Sequence, residues 1–173
     1  MASTPRGPLR PSIEAAYGHR IRVRVGALIF DDPRQPGEIL LVEHAPIHGD
    51  EPFWTPAGGG IDFGEPLREA LMREVAEETG LAVEPGALRY VLDFVRPPLH
   101  TVSFYFEAFV RGGELAAGSD PELGSDQLIR AARFVPLTEI PDLTIYPADM
   151  ADRLPQDAAS GFPEGTVYLG TLR

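Results

Sequence analysis

Apolar and polar positions alternate with a period of two along several stretches of this chain, and with a helical period along one. Arg20, Arg22 and Arg24 interleave with Ile21, Val23 and Val25, and the apolar run then continues through Ala27, Leu28, Ile29 and Phe30. That pattern predicts a strand, half-exposed at its start and buried later. Its three arginines share one face, either as a solvated edge or as a place to hold phosphates. Asp31 to Gly37 reads as a turn, and Ile39, Leu40, Leu41 and Val42 as a short buried strand. His44 to Asp50 reads as a loop leading to Phe53 and Trp54. Pro46 between His44 and His48 argues against a helical pair of metal ligands, so both histidines are expected to be ordinary loop residues. Leu88 to Val95 predicts a strand that follows a turn at Val83-Glu84-Pro85-Gly86 and breaks at Arg96-Pro97-Pro98-Leu99-His100. Val102, Phe104, Phe106, Ala108 and Val110 then alternate with Thr101, Ser103, Tyr105, Glu107 and Phe109, another strand. Leu128 to Phe134 predicts a strand, residues 136 to 140 a short helical turn, and Tyr146 to Leu154 a helix begun at proline. Thr166 to Leu169 reads as an edge strand that could pair within the chain or with another subunit, so a homodimer is one expectation.

Residues 65 to 79 carry the helical period. Their composition is Glu, Leu, Arg, Ala and Met, with Pro66 near the start and Gly80 just past the end. At about 100° per residue, Leu71, Met72, Val75 and Ala76 form one apolar arc. Glu74, Glu77 and Glu78 form an adjoining arc at its rim. Like charges at i,i+4 cost roughly 0.2–0.5 kcal/mol on an exposed helix. Arg73 can pair with Glu77 or Glu69, but one arginine does not neutralise the group. A hard divalent cation would, since Mg²⁺ takes oxygen ligands from a few carboxylates and from substrate phosphates. An acidic helix face alone is more often merely solvated. Gly58, Gly59 and Gly60 immediately before it change that balance, because they let backbone approach a ligand closely.

The stretch GGIDFGEPLREALMREVAEETGL from Gly59 to Leu81 resembles the Nudix box, G-x5-E-x7-R-E-U-x-E-E-x-G-U with U apolar. Gly59, Glu65, Arg73, Glu74, Val75, Glu77, Glu78, Gly80 and Leu81 fill every fixed position. The flanks are similar too: residues 22 to 27, Trp54-Thr55-Pro56, and Arg133-Phe134-Val135-Pro136-Leu137, so the likeness covers about 20 to 147. Ala57 departs from the second proline of a WTPPGGG-like lead-in, which concerns loop stiffness rather than chemistry. The resemblance implies an α/β fold, an α/β/α sandwich with a mixed β-sheet and a loop–helix–loop catalytic motif. It implies hydrolysis of a nucleoside diphosphate linked to another moiety, with Mg²⁺ as cofactor and Mn²⁺ as a substitute. By the same match Glu74, Glu77 and Glu78 are metal ligands, Glu77 or Glu78 the base, the Gly59 carbonyl a further ligand, and Arg73 the residue that orients the carboxylates. Glu65 is expected to steady the loop–helix junction. Arg22, Arg24, Trp54, Arg96 and Tyr105 are candidate substrate contacts; for Trp54, burial beneath the glycine loop is the competing role. In many relatives an acidic pair precedes the segment matching Arg133-Phe134-Val135; here the site holds Asp126-Gln127, and glutamine cannot ionise. Asp126, Asp120 or Glu122 could supply the missing acid. Pro97 resembles the downstream proline of ADP-ribose pyrophosphatases, so ADP-ribose or a nucleotide sugar is the expected substrate. Nucleoside triphosphates are an alternative, and a non-catalytic nucleotide sensor is another.

Composition narrows the partners. The chain has 173 residues, 43% hydrophobic and 24% charged, enough for one domain with a sizeable core. We expect a mobile or loosely docked arm over residues 1–17 and a single Nudix-like domain over 18–173. There are no cysteines, which removes disulfides and thiolate metal sites. The net charge of −11 disfavours a nucleic-acid polymer as partner but not a small phosphate ester met by a cation. No 18-residue apolar run occurs, so a cytoplasmic protein without membrane contact is expected.

Overall fold

The computed structural model describes residues 8–47, 50–118 and 128–172. Two sheets share the chain. The first joins β1 (Ile21–Leu28), β5 (Leu99–Gly113), β4 (Leu81–Arg96) and β7 (Val167–Leu172) in the order β1-β5-β4-β7. It is mixed: β1 runs parallel to β5, β5 antiparallel to β4, and β4 parallel to β7. The second is antiparallel, in the order β3-β2-β6, from β3 (Phe53–Thr55), β2 (Glu38–His44) and β6 (Ile129–Pro136). Helices cover both sides. On one side α2 (Leu67–Thr79) packs Ala70, Leu71 and Val75 on Val25, Ala27, Phe106 and Ala108. On the other, α3 (Ala148–Ser160) packs Met150, Ala151, Leu154 and Ala158 with Leu28, Ile39, Leu41 and Tyr90. The result is the expected α/β/α layering, which buries the apolar faces of both sheets.

Alternation in the first sheet has a direct consequence for the site. β1 pairs Arg22 with Thr101, Arg24 with Ser103 and Gly26 with Tyr105 on β5. Neighbouring positions in register share a face, so the arginine row of β1 and the polar row of β5 form one surface. The intervening residues Val25, Ala27, Phe106 and Ala108 turn the other way, into the core beneath α2.

Two expectations need correction. The phase of the central helix differs: Met72 is 40% exposed and Ala76 is also exposed, while Glu74 and Glu78 are buried at 8% and 4%. Glu74 and Glu78 therefore lie on the inner face beside Leu71 and Val75, and Glu77 stays at the rim, half-buried. Helical period alone cannot separate an acidic arc from an apolar one when both point inward; the difference here is that Glu74 and Glu78 find partners there. The turn expected at Val83 to Gly86 lies inside β4, which absorbs Pro85 as an irregularity between Pro85 and Leu88. A bulge accommodates a proline that a regular ladder would exclude. Within the stretch expected to be a mobile or loosely docked arm, a helix, α1 (Pro11–Tyr17), holds Ile13 only 3% exposed and packed with Ala45 and Leu128. The edge strand β7 finds its partner within the chain, along β4. No helix among the described residues is long and apolar enough to cross a membrane.

Candidate active site

A cleft of about 340 Å³ opens where the arginine face of β1, the end of β2, β3, the glycine loop and α2 converge. Glycines set its floor. The carbonyl of Gly59 accepts the Val25 N–H at 2.9 Å, and Ile61 N–H donates to Val23 at 3.2 Å, so the loop runs alongside β1 like an added strand. A Cβ on Gly59 would fall 2.3 Å from the Glu74 carboxylate. On Gly58, whose φ is +150°, a Cβ would fall 2.1 Å from the Val25 carbonyl. No other residue type allows that approach.

Arg73 organises the acidic end. Its Nε and Nη2 donate to the two carboxylate oxygens of Glu65, both at 2.9 Å. Nη1 donates to Glu74 at 2.9 Å and to Glu77 at 3.2 Å, and Nη2 also donates to the Gly60 carbonyl at 3.1 Å. The fixed fork of a guanidinium makes this set possible. Glu65 also accepts the Asp62 N–H at 3.0 Å, which closes the loop onto the helix. The Arg73 hydrogen bonds hold the Glu65 pKa down at about 2. Glu78 accepts the buried Gly58 N–H at 2.8 Å. Glu74 behaves differently: burial pushes its pKa up to about 7, against the pull of Arg73 and of Arg24.

The donor set fits a hard cation. Three carboxylates on successive turns of α2 border the cleft, and the burial that disfavours charge on Glu74 is the penalty a divalent ion would relieve. Among the described residues, no three acidic or histidine side chains already stand as an ion-holding group. One Arg73 nitrogen bridges Glu74 and Glu77 instead. The Gly59 carbonyl spends one lone pair on Val25 and keeps another.

The candidate substrate contacts divide. Arg22, Arg24 and Tyr105 line the cleft. Arg24 donates to the Gly58 carbonyl at 3.2 Å, and the Arg22 guanidinium lies 3.7 Å from the Tyr17 ring centroid. Trp54 does not line it: it is buried in the core, with the Arg133 guanidinium 4.8 Å from its ring centroid. Strand alternation explains this, since Phe53 and Thr55 on either side of Trp54 take the cleft face. Arg96 at the end of β4 does not line the cleft either, although its charge acts on Tyr146. Asp120, Glu122, Asp126, Gln127 and His48 lie outside the described residues. His44, expected in a loop, is instead the last residue of β2, and it lines the cleft. Burial, and secondarily the charge of Arg24, lowers its pKa to about 3. His44, Phe53 and Tyr146 escaped the sequence reading as cleft residues. Period-two counting through Trp54 could have placed Phe53 opposite it; nothing local marks Tyr146.

A glycine loop is thus locked to a carboxylate helix on one side of an α/β/α sandwich. A family model of the NUDIX domain matches residues 20–156, and the chain belongs to that family. An ADP-ribose pyrophosphatase of Methanocaldococcus jannaschii is 36% identical over 88 residues, covering 50% of this chain and 47% of that protein. A NAD-capped RNA hydrolase of Pectobacterium carotovorum is 32% identical over 124 residues, 72% of this chain and 43% of that one. The chain thus spans about half the length of these relatives, or less. Among solved structures, a NUDIX hydrolase from Nitrosomonas europaea superimposes with a TM-score of 0.65 at 24% identity, covering 87% of this chain and 78% of that one.

Proposed function

We propose that this protein hydrolyses the diphosphate linkage of a nucleoside diphosphate derivative, with Mg²⁺ held by Glu74, Glu77 and Glu78. One observation carries the reading: three carboxylates of α2 border a single cleft with the glycine loop, and two of the three are buried. Burying carboxylates is costly unless they are paired or meet a cation. When bound, the ion supplies charge neutralisation for diphosphate oxygens that would otherwise repel a nucleophile. The chain's own residues do the rest. Arg73 fixes Glu74 and Glu77 relative to the loop, and Gly58 N–H fixes Glu78. Glu77 or Glu78 takes the proton of the attacking water. Arg22 and Arg24, which line the same cleft, offer positive charge to the substrate. ADP-ribose is the first substrate to test, because the Methanocaldococcus jannaschii relative, 36% identical over 88 residues, is named for it.

The test is release of phosphate or nucleotide from ADP-ribose, nucleotide sugars, dinucleoside polyphosphates, canonical triphosphates and oxidised triphosphates, each with Mg²⁺, Mn²⁺ or EDTA. Metal-dependent cleavage of one class is expected. Glu78→Gln should lower turnover by more than about tenfold, equivalent to roughly 1.4 kcal/mol. A smaller loss removes Glu78 from the proposed machinery; binding without turnover in either metal makes the protein a nucleotide-binding module.

A further inference from the structure

Another part of the cleft lining has a different character from the carboxylates. His44 and Phe53 stack with centroids 5.2 Å apart and planes at 14°. Tyr146 meets Phe53 edge-on, at 5.2 Å and 83°. All three line the cleft. Their positions are fixed from behind. His44 Nε2 and the Thr55 hydroxyl are 3.0 Å apart. Tyr146 N–H donates to the Trp54 carbonyl at 2.8 Å, and Trp54 N–H donates to the Thr144 carbonyl at 2.8 Å. The segment carrying Tyr146 is thereby laid along β3. The Tyr146 hydroxyl, however, is shielded from water and has no hydrogen-bond partner among the described residues. A buried hydroxyl without a partner is costly, and such a group on a cleft-lining residue calls for a role.

We infer that the His44–Phe53–Tyr146 wall is the nucleobase subsite of the cleft, where the Tyr146 hydroxyl hydrogen-bonds the edge of an uncharged base. This rests on the proposed action on nucleoside diphosphate derivatives and says which part of the substrate the wall selects. The chemistry matches a base better than a phosphate or a sugar. The wall presents aromatic faces and edges, which suit a flat π-system. It holds no cation of its own: burial keeps His44 neutral, with its pKa at about 3. None of the three side chains of the wall offers a charge to a phosphate; the positive charge that reaches them comes from Arg24 and Arg96. Burial also pushes the Tyr146 phenol up to about 12, so it stays protonated and able to donate. Glu74 and His44 line the same cleft, so one ligand can meet both. A cleft of about 340 Å³ suits a ligand of nucleotide size.

Calorimetric titration with AMP, GMP, CMP, UMP and ribose 5-phosphate, in Mg²⁺, separates the base from the rest of the ligand. At least one nucleotide should bind more than about tenfold tighter than ribose 5-phosphate, because a site built around a hydrogen bond discriminates strongly against ligands that lack it. Tyr146→Phe should abolish most of that advantage and leave ribose 5-phosphate binding unchanged. Because it removes a hydroxyl that has no partner, the same substitution should leave the thermal midpoint equal or raise it, which a purely structural role for the hydroxyl would not produce. Equal binding of nucleotides and ribose 5-phosphate overturns the inference. So does retained discrimination in Tyr146→Phe, or an equal loss for both ligand types. The wild-type hydrolysis panel keeps the two proposals apart. Metal-dependent turnover without base discrimination refutes the subsite alone; base discrimination without turnover refutes the hydrolase reading alone.

Discussion

At the scale of single residues, burial sets the chemistry. His44 has its pKa lowered from 6.5 to about 3, chiefly by desolvation. The folded state therefore holds a neutral imidazole that the unfolded chain protonates below 6.5. The stability from keeping His44 neutral is fully present above pH 6.5. It is lost as pH falls towards 3, by about 1.4 kcal/mol per pH unit at the steepest. Denaturant titrations at pH 7 and pH 5 should show this slope in the wild type and a shallower one in His44→Gln. Equal slopes would mean that His44 titrates as it does in the unfolded chain. Gly59 provides a steric counterpart. Gly59→Ala would drive a methyl into the Glu74 carboxylate, 2.3 Å away. The variant should keep its far-ultraviolet dichroism and lose at least about tenfold in metal-dependent turnover, the order expected when a catalytic arrangement is displaced by about an ångström.

At the scale of elements, the phase of α2 is the feature to check. Leu71 is fully buried, while its neighbour Met72 is 40% exposed. Leu71→Ala should cost about 2–5 kcal/mol, whereas Met72→Ala should stay within about 1 kcal/mol; chemical denaturation measures both. A comparable loss at Met72 would restore the arc read from periodicity alone. The strands were legible because β-alternation is strict: Ile21 to Phe30 and Thr101 to Val110 declare themselves by period two. The box helix was legible by composition and by its bounding proline and glycine. The inward turn of Glu74 and Glu78 was not, since it depends on partners from the loop, the Gly58 N–H and the Arg73 fork. The continuation of β4 through Pro85 was also hidden, because a bulge looks like a turn until the partner strand is known. Likewise α1 is short and has few apolar anchors; its place depends on Ala45 and Leu128, far away in the sequence.

At the scale of the molecule, the cleft needs pieces from nearly the whole chain. Ile13 and Tyr17 of α1 line it together with residues of both sheets. Deleting residues 1–17 should therefore lower the thermal midpoint and weaken nucleotide binding, while Mg²⁺ binding at the α2 carboxylates persists. Calorimetry on the shortened protein would show whether the two losses separate. The two parts of the cleft lining are also built from the chain in different ways. The acidic part comes from one contiguous stretch, 58 to 78, in which Arg73 alone contacts Gly60, Glu65, Glu74 and Glu77. The aromatic part is assembled from residues 44, 53 and 146, and Tyr146 is anchored there through its backbone N–H. The backbone part of that anchorage does not involve the side chain, whose own contact is its edge against Phe53. A change at position 146 therefore trades that ring contact but leaves the backbone hydrogen bond of its segment and the carboxylate arrangement in place. A library randomised there and selected on different ligands would explore new preferences from an intact chemical apparatus, the separation of choosing from doing that lets one scaffold diversify.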